Sequence, residues 1–245
     1  MGEVINRALD DARALEAGGL DALLVENHGD APFTPGRVEA ATVAAMTAVI
    51  GEIRRAVRLP LGVNVLKNDA QSALAIATVT GARFIRVNIH VGAVVADQGI
   101  IQSDAYSTLR LRRLLGGDVK IFADVQAKHG LPLAPMPLEQ EARDCVSRGL
   151  ADALVVSGKA TGEATLLEHV KRVRSAVLDV PLLVGSGVTP ESVAELLSVA
   201  DGAIVGTSLK RDGHLANPVD PERVKRLVEA ARGAAVRAER RRRGG

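Results

Sequence analysis

Short apolar runs alternate with helical patterns from one end of this chain to the other, and that alternation constrains its fold most. Seven runs read as strands, over 21–26, 61–66, 84–89, 119–125, 153–157, 181–185 and 202–206. They are rich in Val, Ile and Leu, the pattern of parallel strands buried on both faces. Eight stretches show helical periodicity, over 4–17, 37–57, 70–80, 105–115, 138–148, 164–177, 190–199 and 221–237. Repetition of strand then helix builds a parallel sheet covered by helices. Three phrases echo one another, each placing an aspartate (Asp21, Asp152, Asp201) between the end of a helix and an apolar run. Such echoes fit one unit repeated around a barrel.

A chain of 245 residues has the usual size of a single (β/α)8 barrel. With 2% aromatic residues and no Trp, its core must be built from Ala, Val, Leu and Ile. The expected fold is therefore α/β, a (β/α)8 TIM barrel lacking its first strand, with seven strands and eight helices. It forms one domain over 1–236, followed by a basic, disordered tail over 237–245. Such a barrel begins with a strand, whereas this sequence begins with a helical pattern. Truncation ahead of Met1 is the preferred account, and a doubly wound open sheet is the alternative. A missing strand leaves two unpaired edges, which makes pairing between chains into a homo-oligomer a further expectation.

The net charge of +2 sits largely in the tail, Arg237-Ala238-Glu239-Arg240-Arg241-Arg242-Arg243. It reads as a solvated helix end, with no nucleic-acid partner, since no aromatics interleave the charges. The functional alternative is a basic patch for an acidic surface, hence peripheral membrane association. Cys145 is the only cysteine, so no intramolecular disulfide forms, and no CxxC or Cys/His spacing points to a metal. No cofactor is implied. No secretory signal opens the sequence, and no run approaches the roughly 18 apolar residues that span a bilayer. The expected location is the cytoplasm.

Two apolar runs end in glycine turns: Leu182-Leu183-Val184-Gly185-Ser186-Gly187-Val188-Thr189 and Ala203-Ile204-Val205-Gly206-Thr207-Ser208-Leu209-Lys210. Glycine lets backbone approach a ligand closely, and exposed amides ahead of a helix make an anion site. After the last two strands of a barrel, this is where a phosphate is gripped. Gly185, Ser186, Gly187, Gly206, Thr207 and Ser208 are the expected phosphate-binding residues.

Polar residues gather at the C-terminal ends of the other runs, where barrel chemistry sits. Glu26 ends one apolar run, Asn64 interrupts another, Asp124 a third, and Arg86, Asn88 and His90 share one parity. A carboxylate at such a position suits a general acid or base. The competing reading makes Asn64, Arg86 and Asp124 a structural polar layer inside the barrel. Lys128 and Lys159 read as solvated, and Asn68-Asp69 as a helix N-cap.

The segments Val25-Glu26-Asn27-His28-Gly29-Asp30-Ala31-Pro32-Phe33, Gly62-Val63-Asn64-Val65-Leu66-Lys67-Asn68-Asp69-Ala70 and Phe84-Ile85-Arg86-Val87-Asn88-Ile89-His90 resemble the BtpA/SgcQ family. So do Asp97-Gln98-Gly99-Ile100-Ile101, Ala151-Asp152-Ala153-Leu154-Val155-Val156-Ser157-Gly158 and both glycine turns. The resemblance covers nearly the whole chain. It implies a ribulose-phosphate-binding type of barrel, with one branch linked to photosystem I biogenesis at the thylakoid membrane and another set among sugar-metabolism genes. It attaches no reaction. Family members usually open with a strand rich in His and Pro, which this sequence does not contain.

The sequence thus points to a barrel acting on a phosphorylated sugar or nucleoside-derived metabolite by isomerase- or lyase-type chemistry. Glu26 and Asp124 would handle protons, and Asn64, Arg86, Asn88 and His90 would orient hydroxyl or carbonyl groups. The alternative is a non-catalytic assembly or stability factor for a membrane complex such as photosystem I.

Overall fold

The computed structural model describes residues 1–158 and 163–243, with side chains through residue 233. The elements in order are α1 (Gly2–Ala17), β1 (Leu23–Glu26), α2 (Ala40–Ala56), β2 (Leu61–Asn64), α3 (Ala70–Thr80), β3 (Phe84–Val87), β4 (Ala93–Ala96), β5 (Gly99–Gln102) and α4 (Ala105–Leu114). They continue with β6 (Lys120–Val125), β7 (Gly130–Pro132), α5 (Leu138–Ser147), β8 (Ala153–Val156), α6 (Leu167–Ala176), β9 (Leu182–Val184), α7 (Val193–Leu196), β10 (Gly202–Ala203) and α8 (Pro221–Arg243).

Seven strands form one parallel sheet in the order β1-β2-β3-β6-β8-β9-β10, one for each apolar run read from the sequence. The sheet curls, with β1 and β10 as its edges. Helices close over this seam although the strands do not pair across it. Helix α1 packs on α2 on one side and α8 on the other. Asp11 on α1 accepts from the amide of Val219 at 2.7 Å and pairs with Lys210, and Arg7 donates to the Ala216 carbonyl at 3.0 Å.

Alternation along the strands sorts the core. Leu23, Leu61, Val63, Ile85 and Ile121 pack outward against α2 and α3. Leu154, Leu182 and Val184 pack with α5, α6 and α8. On the opposite parity, Phe84 stacks on Phe122 at 4.6 Å, and Gly62 leaves the space that the Phe84 ring fills. This pair sits one step along the strands from Arg86 and Asp124.

The repeated aspartates staple strands. Asp152, ahead of β8, accepts from the Ile121 amide of β6 at 2.9 Å and from Arg112 at 2.6 Å. Asp201, ahead of β10, accepts from the Leu182 amide of β9 at 2.8 Å and pairs with Arg174. Each aspartate thus ties its strand to the preceding one and to a covering helix. Asp21 occupies the same position ahead of the edge strand β1.

Three features depart from the sequence reading. An antiparallel sheet, β5-β4-β7, stands apart from the parallel one. Its hairpin turns at Asp97-Gln98, without the Asn-Gly or Asp-Gly pair that usually marks such a turn. Helix α7 is shorter than the 190–199 pattern, because Ser192, Ser198 and Val199 donate three residues back and tighten both flanks into turns. Helix α8 continues past Arg237 to Arg243, consistent with the good helix propensity of arginine. Lys159 and residues 244–245 of the expected tail lie outside the described residues, as do the tail's side chains.

Candidate functional site

Glu26, Asn64, Arg86 and Asp124 lie at the C-terminal ends of four adjacent strands, β1, β2, β3 and β6. The sheet register brings them together across 98 residues of sequence, from Glu26 to Asp124. Arg86 forks onto Asp124, donating from Nε to Oδ1 at 2.8 Å and from Nη2 to Oδ2 at 3.0 Å. Its Nη1 reaches Glu26 Oε1 at 3.3 Å, and Asn64 Nδ2 donates to the same oxygen at 3.0 Å. Ser157, at the end of β8, lies 3.5 Å from Arg86 Nη2. Burial works against the Arg86 charge, but Asp124 and then Glu26 outweigh it and push the guanidinium pKa up. A fork of this kind fixes the guanidinium plane as well as its position.

The two carboxylates have different settings. The Asp124 side chain is 0% exposed and also accepts from Asn88 Nδ2 at 2.9 Å, whereas that of Glu26 is 27% exposed. Asn88 Oδ1 is buried and has no hydrogen-bond partner among the described residues. His90 is held elsewhere: β3 ends at Val87, and His90 Nε2 lies 2.8 Å from the Gly149 carbonyl oxygen. Burial pushes its pKa down. The shared parity of Arg86, Asn88 and His90 therefore does not bring the histidine to this cluster.

Two lysines complete the group. Lys67, just past β2, is buried, and its Nζ donates to the Lys128 carbonyl at 3.4 Å. Lys128, just past β6, donates from Nζ to the Gly185 carbonyl at 3.1 Å. Lys128 is thus half-buried and bonded, against the expectation of a solvated side chain. Burial lowers the pKa of both amines. A sequence signal was available for Lys67, which directly follows the apolar pair Val65-Leu66, and not for Lys128, which follows Gln126-Ala127.

Asparagines tie the strand ends to one another. Asn27 Oδ1 accepts from the Leu66 amide at 2.7 Å, and Asn68 clamps the Ile89 backbone through its amide at 2.8 Å and carbonyl at 2.9 Å. Asp69 alone caps α3, accepting from the Ser72 amide at 2.9 Å.

The glycine turns face each other after β9 and β10, joined by Ser208 Oγ donating to the Val188 carbonyl at 2.7 Å. The Gly185 amide is spent on the Val156 carbonyl at 2.8 Å, so Gly185 continues the sheet ladder. Ser186 is buried, and its carbonyl accepts from Thr165 at 3.0 Å. Gly187 has φ +62. Gly206 opens a 3-10 turn over Thr207–Leu209, and the amides of Gly206, Thr207 and Ser208 donate to no described backbone group. Among the described residues no group of three or more His, Cys, Asp and Glu is placed to hold a metal ion. No described helix is long and apolar enough to cross a membrane.

The BtpA family model matches residues 1–233. The chain is 45% identical over 227 residues to the photosystem I biogenesis protein BtpA of a Synechocystis species, covering 93% of this chain and 79% of that protein. It is 46% identical over 229 residues to an uncharacterized protein of Thermococcus kodakarensis, covering 94% and 86%. It is 37% identical to the putative sgc region protein SgcQ of Escherichia coli, covering 94% and 85%. Among solved structures it resembles phosphoribosylanthranilate isomerase of Pyrococcus furiosus, with a TM-score of 0.59 at 17% identity, covering 91% and 93%. Orotidine 5'-phosphate decarboxylase of Pyrococcus horikoshii gives a TM-score of 0.62 at 13% identity, covering 94% and 95%. These structural likenesses place the fold in the TIM-barrel class.

Proposed function

The chain belongs to the BtpA family, and we propose that it binds a phosphorylated sugar or nucleoside-derived metabolite and acts on it by isomerase- or lyase-type acid–base chemistry. One observation carries this reading. Lys128 reaches from the end of β6 to the Gly185 carbonyl and so joins the carboxylate–guanidinium cluster to the paired glycine turns. A substrate phosphate rests on the amides of Gly187, Gly206, Thr207 and Ser208, with the Thr207 hydroxyl as a further donor and Ser186 and Gly185 shaping the turn beneath. Such amides and a developing anion attract without reorganisation.

Glu26 is the proton-transferring carboxylate, because it is open to a ligand. Asp124 is a positioning residue that holds Arg86 and Asn88. Arg86 and Asn64 orient and polarise a carbonyl or hydroxyl, and Asn88 supports them by donating to Asp124. His90 fixes the loop after α5 rather than touching substrate. The names of the two barrel enzymes above, which act on phosphorylated compounds, lend support at the level of fold. Calorimetric titration with ribulose 5-phosphate tests the reading. Wild type binds the phosphate ester and not free ribulose, and Gly206→Asp abolishes binding by placing a carboxylate against the phosphate. Equal affinity in the two proteins overturns it.

A second reading, an assembly role at a membrane complex, draws on one surface and on the name of the Synechocystis relative. Ile100, Val95 and Leu131 pair in one row across β5, β4 and β7 and are 54%, 45% and 75% exposed. An apolar row of this kind docks another protein. If that role holds, Ile100→Asp with Leu131→Asp removes co-purification with a membrane complex and leaves ribulose 5-phosphate binding intact. Unchanged co-purification removes this reading.

A further inference from the structure

We propose that Lys128 is a nucleophile whose ε-amine forms an imine with the carbonyl carbon of a phosphorylated ketone or aldehyde held by the glycine turns. The inference rests on the phosphate reading above and narrows its substrate class to carbonyl compounds. Three observations carry it. Lys128 Nζ sits 3.1 Å from the Gly185 oxygen, at the boundary between the phosphate turns and the acid–base cluster. Its side chain is half-buried, and its backbone carbonyl is held by Lys67 Nζ at 3.4 Å. It stands between two cations and two carboxylates: Arg86 and Lys67 act against its charge, while Asp124 and Glu26 act for it.

Desolvation together with neighbouring positive charge is how a lysine becomes a neutral nucleophile near neutral pH. Burial is the largest cause of its lowered pKa, followed by Arg86. Lys67 shares the lowered pKa, but its Nζ points to the Lys128 backbone, not to the turns.

The step balances within the site. The neutral amine attacks the carbonyl carbon, a C–N bond forms, and the carbonyl π pair moves to oxygen. Nitrogen gives one proton to Glu26, which passes it to this oxygen and so forms the carbinolamine. The second N–H proton follows the same route as the nitrogen lone pair forms the C=N bond, the C–O bond breaks, and the oxygen leaves as water. The product is the neutral imine, and the sum is amine plus carbonyl to imine plus water. Arg86 faces the oxygen on which negative charge develops.

The test uses the full chain with dihydroxyacetone phosphate and sodium cyanoborohydride at neutral pH, followed by peptide mass mapping. Binding of the phosphate ester is measured in parallel by calorimetry. The expected result is a reduced adduct on Lys128 that forms at least tenfold faster than on exposed Lys225, is suppressed by inorganic phosphate, and is not matched by dihydroxyacetone. Lys128→Arg loses the adduct. Binding without preferential labelling of Lys128 overturns this inference and leaves the phosphate reading standing. Absence of both binding and labelling overturns both. Should Lys128→Arg fail to fold, the site-mapped rates on wild type decide alone.

Discussion

A methyl group on Gly185 would stand 2.5 Å from Ser157 Oγ and 2.5 Å from Val155 Cγ1, and one on Gly187 would stand 2.3 Å from the Glu163 carbonyl oxygen. A methyl group on Gly206 would meet no described atom within 4 Å. The first turn is glycine because the barrel packs against it. The second has room that its own fold does not use. Lys128 sharpens the contrast by bonding to the first turn alone. One turn is therefore a packed base plate, and the other is the open side, where the proposed phosphate would settle.

Substitutions separate the two roles. Gly187→Ala combines a positive φ with a backbone clash and costs about 3 kcal/mol of stability, read from denaturant midpoints. Gly185→Ala costs about 2 kcal/mol, and it also displaces Ser157 and Arg86. If either change proves neutral, the base-plate account of the first turn is wrong. Ser208→Ala leaves the Val188 carbonyl without its donor and costs about 1 kcal/mol, loosening one turn against the other. Gly206→Ala changes stability by less than about 0.5 kcal/mol. Its effect appears in phosphate-ester affinity.

The lysine gives a pH signature of the same contrast. The folded pKa of Lys128 lies below its ordinary 10.5, so between those two values the unfolded chain binds more protons. Stability then rises with pH across that window. Measured against Lys128→Met, wild type gains stability as pH climbs toward 10.5. A flat difference would show that the amine at the first turn is as solvated as one in water.

The parallel sheet was legible in sequence because buried strands leave contiguous apolar runs, and two of the three aspartate echoes, Asp152 and Asp201, marked where a strand is stapled to its neighbour. Helix α3 was legible to the residue, since Asp69 caps it and Gly81 ends it. The antiparallel sheet was not, because Asp97-Gln98 carries no turn signature. Glu26, Asn64, Arg86 and Asp124 were found as polar interruptions of apolar strands. Their division of labour was not, because exposure and the Arg86 fork depend on register rather than on spacing. The two glycine turns read as equivalents, and only the neighbours of each glycine tell them apart.

Amide chemical-shift mapping on the isotope-labelled full chain, titrated with inorganic phosphate, tests the phosphate grip most directly. The account predicts the largest saturable shifts at Gly206, Thr207, Ser208 and Gly187, with a smaller response at Gly185, whose amide is already bonded to Val156. Shifts confined to the arginine-rich end of α8, or none that saturate, would contradict it.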